Sequence, residues 1–292
     1  MALYAFDGTG NQDMDGDLHD TNVLQFFRGY DDPLKNTDPN AERGSLYVKG
    51  IGRMAQTFVG DKFAEAFGIG GHRRVREGMR RLRNNFKAGD TTVDIVGFSR
   101  GAGIAVSFAN ELRESLPDAK IRFMGLFDLV GEFGLPGEHL QAGHDLSCPR
   151  NLTQGYHAMA LDEDRLLFPL TRMRRHDAPV PCFREVWFRG VHSDVGGGNG
   201  NRGLNWISLN WMFEAARREG LPITQAGIDK NLLDRNLPEA IRVHDVAGGG
   251  RRVLIHGDLA HVSVQPTPAR QAGTEYSLDR MDDAGVIHQV HA

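Results

Sequence analysis

The chain has 292 residues, 40% of them apolar and 25% charged, with a formal net charge of -4. That balance gives no strong pull toward nucleic acid or anionic membranes, and no segment has the run of about 18 apolar residues that would mark a membrane span. Two cysteines, Cys148 and Cys182, stand outside any CxxC pair, which excludes a disulfide framework and a cysteine-based metal site.

The opening "MALYAFDGTGN" has no basic n-region and no long apolar core, so Sec-type export is not expected and synthesis in the cytoplasm is. Ala2 to Phe6 reads as a buried strand ending in the turn Asp7-Gly8-Thr9-Gly10-Asn11. Residues 12–45, rich in Asp, Asn and Gly, read as a long surface connection with a helical turn near Asn22 to Phe27. Within it Asp13, Asp15 and Asp17 alternate like the start of a calcium loop. The twelfth position holds Leu24 where such a loop needs glutamate, so a solvated acidic loop is the better reading and no metal is expected. "SLYVKGIG" is a second strand. "GHRRVREGMRRLRNNF" then sets Val75, Met79, Leu82 and Phe86 at helical spacing, with arginines on the other face. No aromatics interleave with them, which favours a solvated amphipathic helix over a nucleic-acid patch.

A strand at "TTVDIV" leads into Gly97-Phe98-Ser99-Arg100-Gly101 and a helix from Ala102 to about Ser115, stopped by Pro117. "KIRFMGLFDLVG" supplies the next strand, ending at Asp128. Residues 131–182 read as irregular around a short helix near Tyr156 to Asp164. "CFREVWFRGV" is a strand running into His192-Ser193-Asp194-Val195 and three glycines. "LNWISLNWMFEAARREG" is a helix with Ile207, Trp211 and Ala215 on one face and Gly220 as its cap. Beyond residue 225 the chain is more polar, with a strand-like run at "RRVLIHG" and a weakly structured tail. Strands alternating with helices predict an α/β protein: a mostly parallel central sheet with helices on both faces. A single α/β-hydrolase-like domain over 1–292 is expected, with its core in about 2–220 and a more irregular portion in 221–292.

The pentapeptide GxSxG has a physical rationale. A serine held in strained backbone between strand and helix needs small neighbours so that the two elements pass closely, and it then presents its Oγ above the sheet. "VDIV" before it and "AGIAVSFANEL" after it provide that context. A nucleophilic serine requires a base and an acid to orient that base. Sites on open α/β sheets lie at the carboxyl ends of strands, where Asp128 and His192 both fall in the order Ser, Asp, His. Asp194 is an alternative acid, or a brace for Gly196-Gly197-Gly198, and His261 is the rival base. Oxyanion donors are expected from the amide of Arg100 and from Gly8 or Thr9 in "FDGTGN", with Asp7 bracing that loop. Asp-Gly-Thr after a strand is also a haloacid-dehalogenase-type signature, but that chemistry wants a second Asp where Ala5 stands.

Together "FDGTGN", "YVKGIG", "GFSRGA", "GLFDLVG", "ALDEDRLLF" and "WFRGVHSDVGGG…LNWISLNWMFEAA" resemble one family over about residues 2–220, with "IHGDLAHVSV" a looser match. It is the α/β-hydrolase domain family that includes phospholipase effectors of bacterial type VI secretion systems. The resemblance implies a serine esterase or lipase acting on glycerophospholipid acyl esters without a cofactor, with Ser99 as nucleophile, His192 as base and Asp128 as acid. It also implies delivery by type VI secretion, transient contact with a membrane surface, and a secretion-machinery or immunity partner. Nothing beyond residue 225 resembles a large amphipathic docking module, so a smaller soluble ester or thioester is an alternative substrate. Two rival functions follow from the residues. One is a non-catalytic binding module on a hydrolase scaffold; the other is a phosphatase or nucleotide binder, which ranks last because no lysine follows the glycines.

Overall fold

The structure is a computed structural model that describes residues 1–8, 20–35, 38, 40–50, 61–131, 145–166, 168–173, 180–200, 202–232, 243, 252–264 and 279–289. In chain order the elements are β1 (Ala2–Phe6), α1 (Asn22–Gly29), β2 (Leu46–Val48), α2 (Asp61–Lys87), β3 (Val93–Phe98) and α3 (Ser99–Ser115). They continue with β4 (Ile121–Phe127), β5 (Leu152–Ala160), β6 (Phe183–Phe188), α4 (His192–Gly196), α5 (Arg202–Arg218) and α6 (Gln225–Leu232). The last three are β7 (Leu259–His261), β8 (Asp279–Met281) and β9 (Ile287–His288). The strands form one nine-stranded sheet in the order β2-β1-β3-β4-β5-β6-β7-β8-β9. Every pairing is parallel except β8 with β9.

A parallel sheet covered on both faces needs apolar side chains on both sides of each strand, and β1 shows how five residues meet that need. Ala2, Tyr4 and Phe6 point into a core shared with Val75, Met79 and Leu82 of α2 and Ile104, Phe108 and Leu112 of α3. Leu3 and Ala5 point the other way, into a core built from α1 and α5 that centres on Phe26, Trp211 and Phe213. Phe26 stacks on Phe213 at 5.2 Å, and Trp211 meets Tyr156 and Phe188 edge-on at 5.7 and 5.3 Å. At the end of α5, Gly220 has a φ of +76°, and the Leu221 amide reaches back to the Ala216 carbonyl. This is the left-handed helix stop that glycine permits.

Four expectations need correction. Residues 152–160 are not a short helix in an irregular region but the central strand β5, flanked by β4 and β6. Burial on both faces from Gly155 to Ala160 erases the alternation that identifies a strand. The segment around Asn22 is not surface: α1 is mostly buried, and the Asn22 amide donates to the carbonyls of Val195 and Asn205 at 2.8 and 2.9 Å. Not every arginine of α2 faces water, since Arg81 is buried and donates to the carbonyls of Arg43 and Asp38 at 3.0 and 2.8 Å. Finally, the strand near the C-terminus lies at Leu259–His261 and not at "RRVLIHG", and with β8 and β9 it extends the same sheet. Both cysteines are free thiols, Cys148 buried and Cys182 half-buried. Among the described residues no helix is long and apolar enough to cross a membrane.

Candidate functional site

The turn between β3 and α3 is as tight as its sequence suggests. Ser99 is the first residue of α3 and has a φ of +58°. Among the described residues only Ser99 and Asp128, at +41°, are non-glycine residues in this left-handed region. Such backbone costs on the order of 1–3 kcal/mol and persists only where the surroundings impose it. The glycines either side of Ser99 show what imposes it. A Cβ on Gly97 would lie 2.7 Å from the Ala102 Cα, and one on Gly101 would lie 2.4 Å from the Asp7 carbonyl oxygen. Strand, helix and the end of β1 therefore meet at distances no other residue type allows.

Asp128 follows β4 and is clamped by β5. Its amide donates to the Ala158 carbonyl at 2.8 Å, and its Oδ1 accepts the Ala160 amide at 2.8 Å. The next amide, that of Leu129, donates to Nε2 of the buried His157 at 3.0 Å. His192 opens α4 at the carboxyl end of β6, with its amide donating to Glu163 Oε2 at 3.1 Å. These placements bring three side chains into line. His192 Nε2 lies 2.8 Å from Ser99 Oγ, and His192 Nδ1 lies 2.6 Å from Asp128 Oδ2. The neutral tautomer that satisfies both contacts carries its proton on Nδ1 and accepts the hydroxyl proton at Nε2. Phe98 and Phe168 flank the imidazole, with ring centroids 4.6 and 4.7 Å from it.

All three residues are buried. Burial pushes the His192 ring down and Asp128 pulls it up, and the balance stays below the usual histidine value. Burial alone would raise the Asp128 carboxyl, but the Arg252 guanidinium and the His192 ring hold it well below the usual carboxylate range. The imidazole is thus neutral at pH 7 and the carboxylate charged, the states a proton acceptor and its orienter require.

The remaining expected residues lie as follows. The Gly8 amide donates to the buried Asp7 carboxylate beside it at 2.7 Å. Asp7 also accepts from Thr21 Oγ1 at 2.7 Å and from the Tyr47 hydroxyl at 2.5 Å, and burial pushes its carboxyl up to about 6. Thr9 and the Asp13-Asp15-Asp17 run lie outside the described residues. Arg100 is the second residue of α3, directly after Ser99. Asp194 accepts from the Val191 amide at 3.0 Å and from Asn199 Nδ2 at 2.8 Å, which braces the turn around the glycines. His261 stacks on Phe188 at 4.8 Å and places its ring nitrogens against Ser263 Oγ at 2.8 Å and Asp283 Oδ1 at 3.2 Å. Ser99 is met by His192 instead. Among the described residues no group of histidine, cysteine and carboxylate side chains is arranged to hold a metal ion.

Four residues at the site have no role assigned from the sequence: His157, Glu163, Phe168 and Arg252. "ALDEDRLLF" was recognisable as a motif, but the bond from Glu163 to the His192 backbone was not. Arg165 completes that loop, donating to both Glu163 oxygens at 2.8 and 2.7 Å while its guanidinium lies 4.0 Å from the Phe168 ring centroid.

A mostly parallel sheet wrapped by helices, with a strained serine at a strand-to-helix turn, defines the class: the fold is that of an α/β hydrolase. Residues 3–115 and 107–215 match the family described as type VI secretion system phospholipase effector Tle1-like, catalytic domain. The chain belongs to that family. Among solved structures it is similar to an uncharacterised protein from Pseudomonas aeruginosa, with 21% identity and a TM-score of 0.57, over 82% of this chain and 49% of that one. It also aligns with a Tle1 effector bound to the VgrG spike of the type VI secretion system, with 21% identity and a TM-score of 0.48, over 68% of this chain and 50% of that one. The chain thus spans about half the length of the structures it matches. No curated protein matches it.

Proposed function

We propose that the protein is a serine hydrolase of carboxylic esters, acting on phospholipid acyl esters through Ser99, His192 and Asp128. The observation that carries this reading is the continuous line from Ser99 Oγ through the imidazole to Asp128, with contacts of 2.8 and 2.6 Å. Ser99 Oγ attacks the acyl carbonyl carbon while His192 Nε2 takes the hydroxyl proton. Asp128 keeps the ring in the tautomer that can accept it and stabilises the imidazolium that forms. The oxyanion forms beside the first turn of α3, where the Arg100 amide would donate to it; one such donor contributes about 3 kcal/mol. Collapse expels the alcohol, which receives the proton from His192. Water then attacks the acyl-serine by the same route and releases the acid. Family membership supports a lipid substrate, delivery by type VI secretion, a secretion-machinery or immunity partner, and contact with a membrane surface during turnover.

The test is covalent labelling. A fluorophosphonate should modify Ser99 at one equivalent per chain, located by peptide mass spectrometry, and Ser99→Ala should remain unlabelled and release no fatty acid from phospholipid vesicles. A folded wild-type protein that never labels would point to a non-catalytic binder on this scaffold. A second prediction uses the charge of Glu163, which raises the His192 pKa. Glu163→Gln should move the acid limb of kcat/KM to lower pH. A limb displaced upward would contradict it.

A further inference from the structure

Arg252 belongs to the segment before β7, far in sequence from every other residue at the site. Its side chain is buried, and its terminal nitrogens all reach acceptors. One donates to Asp128 Oδ1 and to the Ala160 carbonyl, each at 2.7 Å. The other donates to Asp128 Oδ2 at 3.0 Å and to the Phe168 carbonyl at 2.8 Å. A guanidinium fork matches a carboxylate in this way, two parallel donors fixing its plane as well as its charge.

Stability alone is a poor reason to keep such a group. Desolvating two charges offsets most of their attraction, and apolar side chains of similar volume often serve as well. What apolar side chains cannot do is hold a carboxylate that must also face His192. Asp128 accepts from Arg252 on one side, from the Ala160 amide, and from His192 Nδ1 on the other. The same guanidinium holds the backbone of Phe168, whose ring packs on His192.

We propose that Arg252 is a positioning residue: it sets the plane of the Asp128 carboxylate, balances its charge, and fixes the loop that packs Phe168 on His192. This rests on the serine-hydrolase reading above. The charged groups facing His192 are Asp128 from the end of β4, Arg252, and Glu163 with its partner Arg165 from the segment after β5. Ser99 faces it from α3, and Asp194, on α4 itself, is engaged with Val191 and Asn199. Of these, the Arg252 charge acts to lower the His192 pKa, against Asp128 and Glu163. Without it the imidazole faces an unbalanced carboxylate and takes up a proton at higher pH.

The experiment measures the pH dependence of the rate at which a fluorophosphonate labels Ser99 in wild type, Arg252→Met and Arg252→Lys, alongside kcat and KM for a p-nitrophenyl ester. Arg252→Met should raise the acid limb by about one pH unit and lower kcat by roughly 10- to 100-fold, with KM nearly unchanged. Arg252→Lys, which keeps the charge but not the fork, should hold the limb at its wild-type position and recover part of kcat. A Met variant with an unmoved limb overturns the proposal, as does equal loss in both variants with no displacement, since that is what a purely structural role gives. If far-UV circular dichroism shows that the Met variant does not fold, the Lys variant decides: a displaced limb there overturns the proposal. Failure of the wild type to label removes the hydrolase reading and this one together. A labelled wild type with an unmoved limb removes only this one.

Discussion

Asp128→Asn is expected to lower kcat/KM for ester hydrolysis by roughly four orders of magnitude and to destabilise the fold by about 3–5 kcal/mol. Both effects come from the crowding of donors around one carboxylate. Asp128 accepts from His192 Nδ1, the Ala160 amide and both terminal nitrogens of Arg252. Asparagine has one acceptor oxygen and two N–H donors in place of two acceptors. If its NH2 faces His192, the ring must accept at Nδ1 and carry its proton on Nε2, where it can no longer take one from Ser99. If its NH2 faces Arg252, donors meet donors and a buried cation loses its counterion. Stopped-flow or steady-state kinetics measure the first effect and thermal unfolding the second. A variant within tenfold of wild-type activity would show that Asp128 does not orient the base.

The pH dependence of stability has a definite sign. The folded carboxyl of Asp128 titrates below its unfolded value, so its contribution is fully present above the unfolded pKa near 3.9 and fades as pH falls through the folded one. Glu185 adds to the same acid window. Burial would raise its carboxyl, but His157 and Arg172 outweigh that and bring it down to about 2. In Asp128→Asn the Glu185 part of this slope remains and the Asp128 part is gone.

What was legible in the chain depended on how local its cause was. The turn at Ser99 announced itself because everything that shapes it lies within a few residues: the buried strand, the two glycines, and Ala102 and Ala105 where the helix crosses. Asp128 and His192 were found by a topological argument, each closing a strand that the sheet places on the same edge. β5 was missed because Tyr156-His157-Ala158-Met159-Ala160 mixes helix formers in a run buried on both faces, and such a run carries no period to tell strand from helix. Arg252 was invisible for another reason. Its partners are Asp128, Ala160 and Phe168, and only the folding of β7 against β6 brings them within reach. At Gly8 the partner is a neighbour in the chain: the Asp7 carboxylate accepts its amide at 2.7 Å.

Gly101→Ala tests how rigidly the serine turn is held, and its expected cost is about 3 kcal/mol or more of stability with roughly a hundredfold loss of kcat. A Cβ there would sit 2.4 Å from the Asp7 carbonyl oxygen, 2.5 Å from that of Phe6 and 2.6 Å from the Asp7 carbonyl carbon. All three are backbone atoms, so no side-chain rotation relieves the overlap. β1 cannot yield easily, because it is paired with both β2 and β3 and the Asp7 amide donates to the Val48 carbonyl at 3.0 Å. The displacement must therefore fall on the first turn of α3, which carries Ser99 and the Arg100 amide. Gly89→Ala provides the control. That glycine has a φ of +87° but open space around it, so alanine there meets strain of about 1 kcal/mol and no clash, far from the site. Thermal unfolding of the two variants separates overlap from strain, and the labelling rate of Ser99 separates both from displacement of that serine. Equal melting temperatures for the two would mean that helix and strand do not meet at the distance on which the strained serine depends.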